Sequence, residues 1–283
     1  MRSTVGHWGD VQVRVVDEHI GVGSDWNVRD TKHVIIAHLT GSIRDIETRL
    51  DSVDVAVSPL GPGEVSLVPA GRRYRAQAIG GLVRYAELRV SPKARWDAVG
   101  TDVDVDNGEA QLGRRDESLY RAIERLADLA GRTDDVSQLA AHSISHAVCL
   151  HMRETYGGGA DGRVGDVEEV PALTARAVGQ LRSYVRAHLD QYITLAGLTD
   201  LVGLSTHLLL IAFRRTFGTT PAQFVIAERL ARARWLLAHT AYDISTIAGA
   251  TGFASHSHLT TTFKRHVGVT PHVFRRGPSY EDV

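Results

Sequence analysis

Two pairs of basic residues stand 50 positions apart in the last third of the chain. Arg214-Arg215 and Lys264-Arg265 each directly follow a phenylalanine and come shortly before a glycine. Guanidinium and ammonium groups bind phosphate oxygens through charge-assisted hydrogen bonds. The same pairs would also suit a solvated helix face, so their types and spacing leave both interpretations open.

These pairs belong to an internal repeat that favours the first interpretation. A shift of 50 residues aligns Ser205 with Ser255, Leu209 with Leu259, Phe213 with Phe263, Gly218 with Gly268, Thr220-Pro221 with Thr270-Pro271, and Phe224 with Phe274. So many matches at a single offset indicate that one supersecondary unit occurs twice.

Each copy predicts a helix-turn-helix. A short helix, 195–202 or 243–250, ends at a glycine that tolerates positive φ, Gly203 or Gly252. A serine suited to capping follows, and the second helix carries the basic pair at its far end. A long helix over 221–238 connects the copies. If the two recognition helices are parallel and about 34 Å apart, they can enter successive major grooves.

Charge is distributed unevenly along the 283 residues. The whole chain has 32 Lys or Arg and 33 Asp or Glu, a net charge of -1. Residues 172–276 hold 12 basic and 4 acidic residues, a net of +8, whereas residues 1–171 hold 20 and 27, a net of -7. This division predicts a different partner for each half. The absence of a long apolar run and of a leader-like start predicts a cytoplasmic protein without membrane contact.

The first half predicts an α+β domain. Short Val- and Ile-rich runs at 11–16, 33–41, 53–58, 65–70 and 83–90, separated by turn residues, predict a small antiparallel sandwich or barrel. Helical periodicity follows at 116–130 and 134–156. The predicted domains are a β-domain over 1–115, a helical segment over 116–156, a glycine-rich linker over 157–171, a DNA-binding domain over 172–277 and a tail over 278–283.

The residues from about 172 to 276 closely resemble the AraC/XylS family of transcription regulators. The second repeat carries the pattern I-A-x-x-x-G-F, then S, L, F-K-R and G-x-T-P-x-x-F-R, at Ile247, Ala248, Gly252, Phe253, Ser255, Leu259, Phe263, Lys264, Arg265, Gly268, Thr270, Pro271, Phe274 and Arg275. The resemblance implies a cupin-like β-barrel with a helical dimerisation segment, followed by an all-α domain with two helix-turn-helix units. Residues 63–75 are loosely similar to a strand and turn of that sensory barrel.

The resemblance also implies which residues contact DNA. Base contacts fall on His207, Leu210, Ile211, His256, Ser257, His258 and Thr261, and phosphate contacts on Ser205, Arg214, Arg215, Ser255, Lys264 and Arg265. The family often has arginine at the positions of Ile211 and Thr261. Because arginine can hydrogen-bond both acceptors of guanine, its absence argues against strong guanine recognition by either helix.

The helical segment also offers a weaker candidate for metal chemistry. His142, His146 and Cys149 share one helix face, and imidazole with thiolate suits zinc or copper. No fourth ligand is evident, and the spacing equally suits a packed helix, so we expect no metal and no cofactor. The chain also lacks the cupin metal pattern, G-x-S-x-G, H-E-x-x-H and a phosphate-binding loop.

The sequence therefore predicts a transcriptional regulator rather than an enzyme. The expected partners are double-stranded operator DNA, RNA polymerase, an unidentified small effector at the N-terminal domain and a second copy of the chain. Two alternatives remain open: a non-metal cupin enzyme fused to a helical domain, and a protein-binding adaptor with weakened DNA recognition.

Overall fold

The computed structural model describes residues 1–21, 24–51, 53–55, 61–92, 110–156 and 172–276. The predicted linker over 157–171, the tail over 278–283 and part of the predicted strand 53–58 lie outside these residues. The chain divides into an N-terminal unit, Met1–Arg132 with Ala141–Glu169, and a C-terminal unit, Thr133–Ala140 with Val170–Val283. The domain boundaries drawn from the sequence stay predictions.

The N-terminal unit contains two antiparallel sheets. Its strands are β1 (Arg2–Trp8), β2 (Val11–Ile20), β3 (Ser24–Arg29), β4 (His33–Gly41), β5 (Asp45–Leu50), β6 (Val53–Val55), β7 (Glu64–Val68), β8 (Arg73–Ile79), β9 (Gly81–Val90) and β10 (Gln111–Arg115). The larger sheet has the order β1-β2-β9-β4-β7-β10, and the smaller one has the order β3-β8-β5-β6.

The prediction of a closed barrel is wrong for the part of the chain that the structure describes. No ladder joins an edge of the larger sheet to an edge of the smaller one there, so the two sheets remain separate. The residues of β2 explain the layering, because successive side chains of a strand point to opposite faces. Val11, Val13 and Val15 lie in the core beneath the helices, whereas Val16 and Ile20 lie in the core shared with the smaller sheet.

Two helices cover the outer face of the larger sheet, close to their predicted positions. Helix α1 (Glu117–Leu129) is N-capped by Asp116 and buries Leu119, Ile123 and Leu126. Helix α2 (Asp135–Tyr156) contributes Val148, Cys149 and Met152 to the same core. Residues Thr133–Ala140, which include the first turn of α2, belong to the C-terminal unit.

All regular secondary structure in the described residues of the C-terminal unit is helical. Its helices after α2 are α3 (Ala175–Ala187), α4 (Leu195–Val202), α5 (Thr206–Phe217), α6 (Pro221–His239), α7 (Ile244–Ala250), α8 (His256–Val267) and α9 (Pro271–Arg276). The predicted connecting helix 221–238 is confirmed as α6, which starts with proline at its first position and a Thr220–Gln223 capping box.

In the part of the chain that the structure describes, no single helix has the length and apolarity needed to cross a membrane. One pair, Leu195–Val202 with Thr206–Phe217, meets the criteria of length and composition together, with a bend of 84° between its helices.

Candidate nucleic-acid interface

The first copy of the repeat forms a helix-turn-helix from α4 and α5. Helix α4 ends at Gly203, whose φ of 68° lies in the left-handed region. Ser205 then caps α5, because its hydroxyl accepts a hydrogen bond from the amide of Leu208 at 3.3 Å. Such a cap contributes about 1 kcal/mol to a helix. The predicted turn glycine and the predicted cap are both confirmed.

The second copy repeats this geometry with α7 and α8. Gly252 adopts a φ of +70° after α7, and a β-carbon there would lie 2.0 Å from the carbonyl oxygen of Leu189. Ser255 caps α8 by accepting a hydrogen bond from the amide of His258 at 3.1 Å. Helices α5 and α8 both contain 12 residues and both end at a left-handed glycine. The repeat in sequence is therefore a repeat in structure.

Equivalent apolar residues hold the two recognition helices in place. Leu209 and Phe213 of α5 are buried, and the ring of Phe213 meets that of Phe224 edge-on with a centroid distance of 5.5 Å. In the second copy, Leu259 and Phe263 are buried, and the rings of Phe263 and Phe274 are 5.4 Å apart. The side chains on the opposite sides of α5 and α8 are therefore the ones available for a partner.

The proposed base-reading residues differ in exposure between the two helices. His256, Ser257 and Thr261 of α8 are exposed, and His258 is half-buried with its ring edge-on to Phe253 at 5.4 Å. On α5, His207, Leu210 and Ile211 are half-buried, and Leu210 packs against the apolar core. Helix α8 therefore presents the more accessible polar surface.

The basic pairs lie in the last turns of the recognition helices and are exposed. Within the described residues, Arg214, Lys264 and Arg265 form no ion pair. Cations in a last helical turn also interact favourably with the helix dipole, by about 0.3–1 kcal/mol. The interaction with the helix dipole does not use the N–H groups of these side chains, so they can still donate hydrogen bonds to phosphate.

One of the 12 basic residues of the segment 172–276 is buried and therefore does not contribute to its outer surface. Arg229 of α6 is 2% exposed and pairs with Asp135 of α2, with Nη2 2.7 Å from Oδ2. Its Nε and Nη2 also donate to the carbonyl oxygens of Leu189 and Gln191. A charge count cannot detect this neutralisation, because Asp135 lies outside the basic segment and 94 residues from Arg229.

The metal candidates remain packed residues of α2. Cys149 and His146 are buried, and His142 is half-buried. Burial raises the pKa of the Cys149 thiol far above its ordinary value, with a smaller contribution from Asp10, so the metal-binding thiolate is disfavoured. Among the described residues, no group of three His, Cys, Asp or Glu side chains could hold a metal ion.

Comparisons with known proteins agree with this geometry. Residues 198–277 match the family model described as a helix-turn-helix domain. The chain is 32% identical over 158 residues to the probable transcriptional regulator LumQ of Photobacterium leiognathi, covering 55% of this chain and 59% of LumQ. It therefore spans less than two thirds of that relative's length. It is 25% identical over 223 residues to the transcriptional activator RhaR of Cronobacter sakazakii, covering 76% of each protein.

Among solved structures, a regulator with an AraC-type DNA-binding domain from Chromobacterium violaceum is similar to this chain. The two are 30% identical, and the match covers 36% of this chain and 90% of that one, with a TM-score of 0.35. The resemblance seen in the repeat motifs is confirmed by the family model and the sequence relatives together. Residues 198–277 therefore form a helix-turn-helix domain of the kind found in AraC-family transcriptional regulators.

Proposed function

We propose that this chain regulates transcription by binding double-stranded operator DNA with both recognition helices. The observation that carries the proposal is the presence in one unit of two capped helices, α5 and α8, each 12 residues long and each ending in an exposed basic pair. Two such helices offer side chains for the major groove and cations for the flanking phosphates.

In this proposal the exposed face of α8 supplies most of the sequence recognition. His256, Ser257, His258 and Thr261 would contact base edges, and His207, Leu210 and Ile211 of α5 would add a more apolar contact. The phosphate contacts would come from Ser205, Arg214, Arg215, Ser255, Lys264 and Arg265. The two serine hydroxyls already accept a hydrogen bond from their own helix, and each can still donate one to a phosphate oxygen.

The N-terminal unit would act as the sensory part. Its two facing antiparallel sheets and the cavity that they line are compatible with a cupin-like effector domain. Assembly as a homodimer, contact with RNA polymerase and action in the cytoplasm complete the proposal. They are supported by the resemblance to AraC-family regulators and by the similarity to the transcriptional activator RhaR.

Selection of binding sites from a random DNA pool by the full-length chain tests the proposal. Enrichment of one sequence family is expected, and affinity for the selected site should fall steeply with salt. Each phosphate contact contributes about -0.9 to the slope of log K against log[salt], so Arg214→Ala and Lys264→Ala should each reduce the slope by about 1.

Arg176→Ala provides the matched control for these variants. Arg176 is an exposed arginine on α3, so its removal changes the charge of the same unit without touching either helix-turn-helix. An unchanged slope for Arg176→Ala beside reduced slopes for the other two supports the assignment. Failure to enrich any sequence, or equal slopes for all three variants, would contradict it.

A further inference from the structure

A cavity of about 320 Å³ opens in the N-terminal unit on the side of the larger sheet that faces the smaller one. Strands β2, β4 and β9 of the larger sheet and β3 and β8 of the smaller sheet supply its walls. The strand register places Tyr85 opposite Val16 on one side and opposite His38 on the other. Tyr85 therefore occupies the middle of the cavity wall.

Glu18 is a carboxylate in this cavity whose hydrogen-bond donors, among the described residues, are all neutral groups. Its oxygens accept hydrogen bonds from Ser24 Oγ at 3.3 Å, Trp26 Nε1 at 3.2 Å and Tyr85 Oη at 3.3 Å. Burial, together with Glu87 and Glu18, raises the pKa of Tyr85 far above its ordinary value, so its hydroxyl stays protonated and donates. Within the described residues Glu18 forms no ion pair with a lysine or an arginine.

Two of the three arginines that line the cavity, Arg14 and Arg89, are paired with carboxylates other than Glu18, and the third, Arg29, is exposed. Arg89 lies 3.0 Å from Asp30 and 3.1 Å from Glu87, and Arg14 lies 3.6 Å from Glu87. Even so, Glu87 Oε2 accepts no hydrogen bond from any described residue. Four carboxylates line the cavity, beside three guanidinium groups and the N-terminal residue Met1. One buried carboxylate oxygen in the cavity therefore has capacity to accept a donor.

Aromatic rings stand beside the carboxylate of Glu18. The rings of Trp26 and Tyr85 meet edge-on with centroids 5.8 Å apart, and the ring of His38 lies 6.4 Å from that of Tyr85. Burial lowers the pKa of His38 to about 4, so at neutral pH this ring adds no positive charge. Aromatic faces next to a carboxylate are the arrangement that attracts an organic cation, because the ring quadrupole and the charge act in the same direction.

We propose that this cavity binds the effector and that the effector is a small organic cation. Its ammonium group would lie against the rings of Trp26 and Tyr85 and face Glu18. This inference rests on the proposed function, in which the N-terminal unit responds to a small molecule. A neutral polyol would leave Glu18 without a counter-charge, and an organic anion would meet the four carboxylates that already line the cavity.

Three probes of nearly the same shape separate these classes of ligand. Choline is a cation, 3,3-dimethylbutan-1-ol is its neutral isostere, and 3,3-dimethylbutanoate is an anion of similar size. Each is titrated into the full-length chain carrying Trp235→Phe, so that the fluorescence comes from tryptophans outside the C-terminal unit. We expect choline to bind about tenfold tighter than the alcohol or more, and the anion to bind weakest.

Glu18→Gln tests the carboxylate while it keeps the shape and an oxygen that can accept hydrogen bonds. It should reduce choline affinity about tenfold, to near that of the alcohol, and leave the affinity of the alcohol unchanged. Glu47→Gln is the matched control, because Glu47 is an exposed carboxylate of β5 in the same unit and does not line the cavity. Circular dichroism of both variants checks that the fold is kept.

Equal binding of choline and the alcohol, tighter binding of the anion, or no binding by any probe would overturn the inference. DNA retention and its salt slope, measured on the same preparations, keep the two proposals separate. Normal DNA binding without preference for the cation would contradict only the proposal that the effector is a cation. Preference for the cation without DNA binding removes the regulatory function and leaves the assignment of the cavity intact.

Discussion

Arg229 and Asp135 form a buried, two-pronged ion pair in the C-terminal unit. Nη1 lies 2.8 Å from Oδ1, and Nη2 lies 2.7 Å from Oδ2. The amide of Ile193 also donates to Asp135, at 2.9 Å. The pair connects α6 to the first turn of α2, with side chains that are 2% and 5% exposed. Residues before the predicted linker are therefore part of the core of the DNA-binding unit.

Asp135→Ala should lower the free energy of unfolding of this unit by about 3–5 kcal/mol, because it leaves the guanidinium of Arg229 buried without its carboxylate. Urea unfolding followed by Trp235 fluorescence measures the change, since Trp235 is the one tryptophan in the sequence of this unit. Asp190→Ala removes an exposed carboxylate of the same unit and should change little.

The double variant Asp135→Leu/Arg229→Met separates the charge effect from lost packing. It should recover much of the stability that Asp135→Ala loses, because well-packed apolar residues can replace a buried ion pair. A fragment starting at residue 172 should unfold at a lower temperature than one starting at 133, since only the longer one contains Asp135. Equal stability of Asp135→Ala and Asp190→Ala would show that the pair contributes little.

Gly203→Ala and Gly252→Ala should differ in their cost although both glycines have a φ near +70°. A β-carbon at Gly203 meets nothing within 4 Å. The only cost of alanine there is that an L-residue must adopt the left-handed conformation, which is worth about 1–2 kcal/mol. At Gly252 the β-carbon would also lie 2.0 Å from Leu189 O and 2.6 Å from Arg229 Nη2. Thermal unfolding should therefore show a clearly greater loss for Gly252→Ala, and equal losses would argue against this close packing.

Thr261→Arg should add a preference for guanine at one position of the selected DNA site. Thr261 is exposed on α8, and a guanidinium there could bond to O6 and N7 of a guanine, which gives about 1–3 kcal/mol of discrimination. Repeating the site selection with this variant measures the change. Thr261→Gln adds length without charge and serves as the comparison. An unchanged site for Thr261→Arg would indicate that this face of α8 does not reach the bases.

His38 should make the N-terminal unit less stable as the pH falls from about 6.5 to about 4. Burial lowers its pKa in the folded protein from 6.5 to about 4, so in this range the unfolded chain binds a proton that the folded chain does not. Stability is therefore complete above pH 6.5 and declines on acidification, by about 3 kcal/mol in all. Urea unfolding of the Trp235→Phe chain at several pH values measures this decline.

His38→Gln removes the titrating group and should flatten the pH dependence of stability over the same range. The side chain of His38 is almost completely buried, and the substitution keeps a polar group of similar size. Parallel pH profiles for His38→Gln and the parent chain would mean that other groups cause the loss on acidification.

The helix-turn-helix pair could be predicted almost to the residue, because its signals are local. A left-handed glycine, a capping serine and apolar residues four apart each act within one or two turns of helix, and the repeat shows each signal twice. Five strands of the N-terminal unit, β1, β3, β5, β8 and β10, were missed. Trp26 and Tyr74 on two of these strands alternate with polar residues, so no continuous apolar run marks them.

The net charge of +8 located the DNA-binding half but did not show which charges face outward. Arg229 pairs with Asp135, 94 positions earlier in the chain, and Arg186 pairs with Glu228 of α6. Likewise, nothing local distinguishes Glu18 from Asp17, the other acid of β2, or brings it to Trp26 and Tyr85.

The sequence by itself determined the helix-turn-helix units, their caps and the family, since these depend on residues close together in the chain. Only the tertiary structure decided that the strands form two sheets, which charges are neutralised by burial, and that Glu18 shares a cavity with aromatic rings. Those features depend on strand register and on contacts between distant segments, and a shift of one residue in register would turn each side chain to the opposite face.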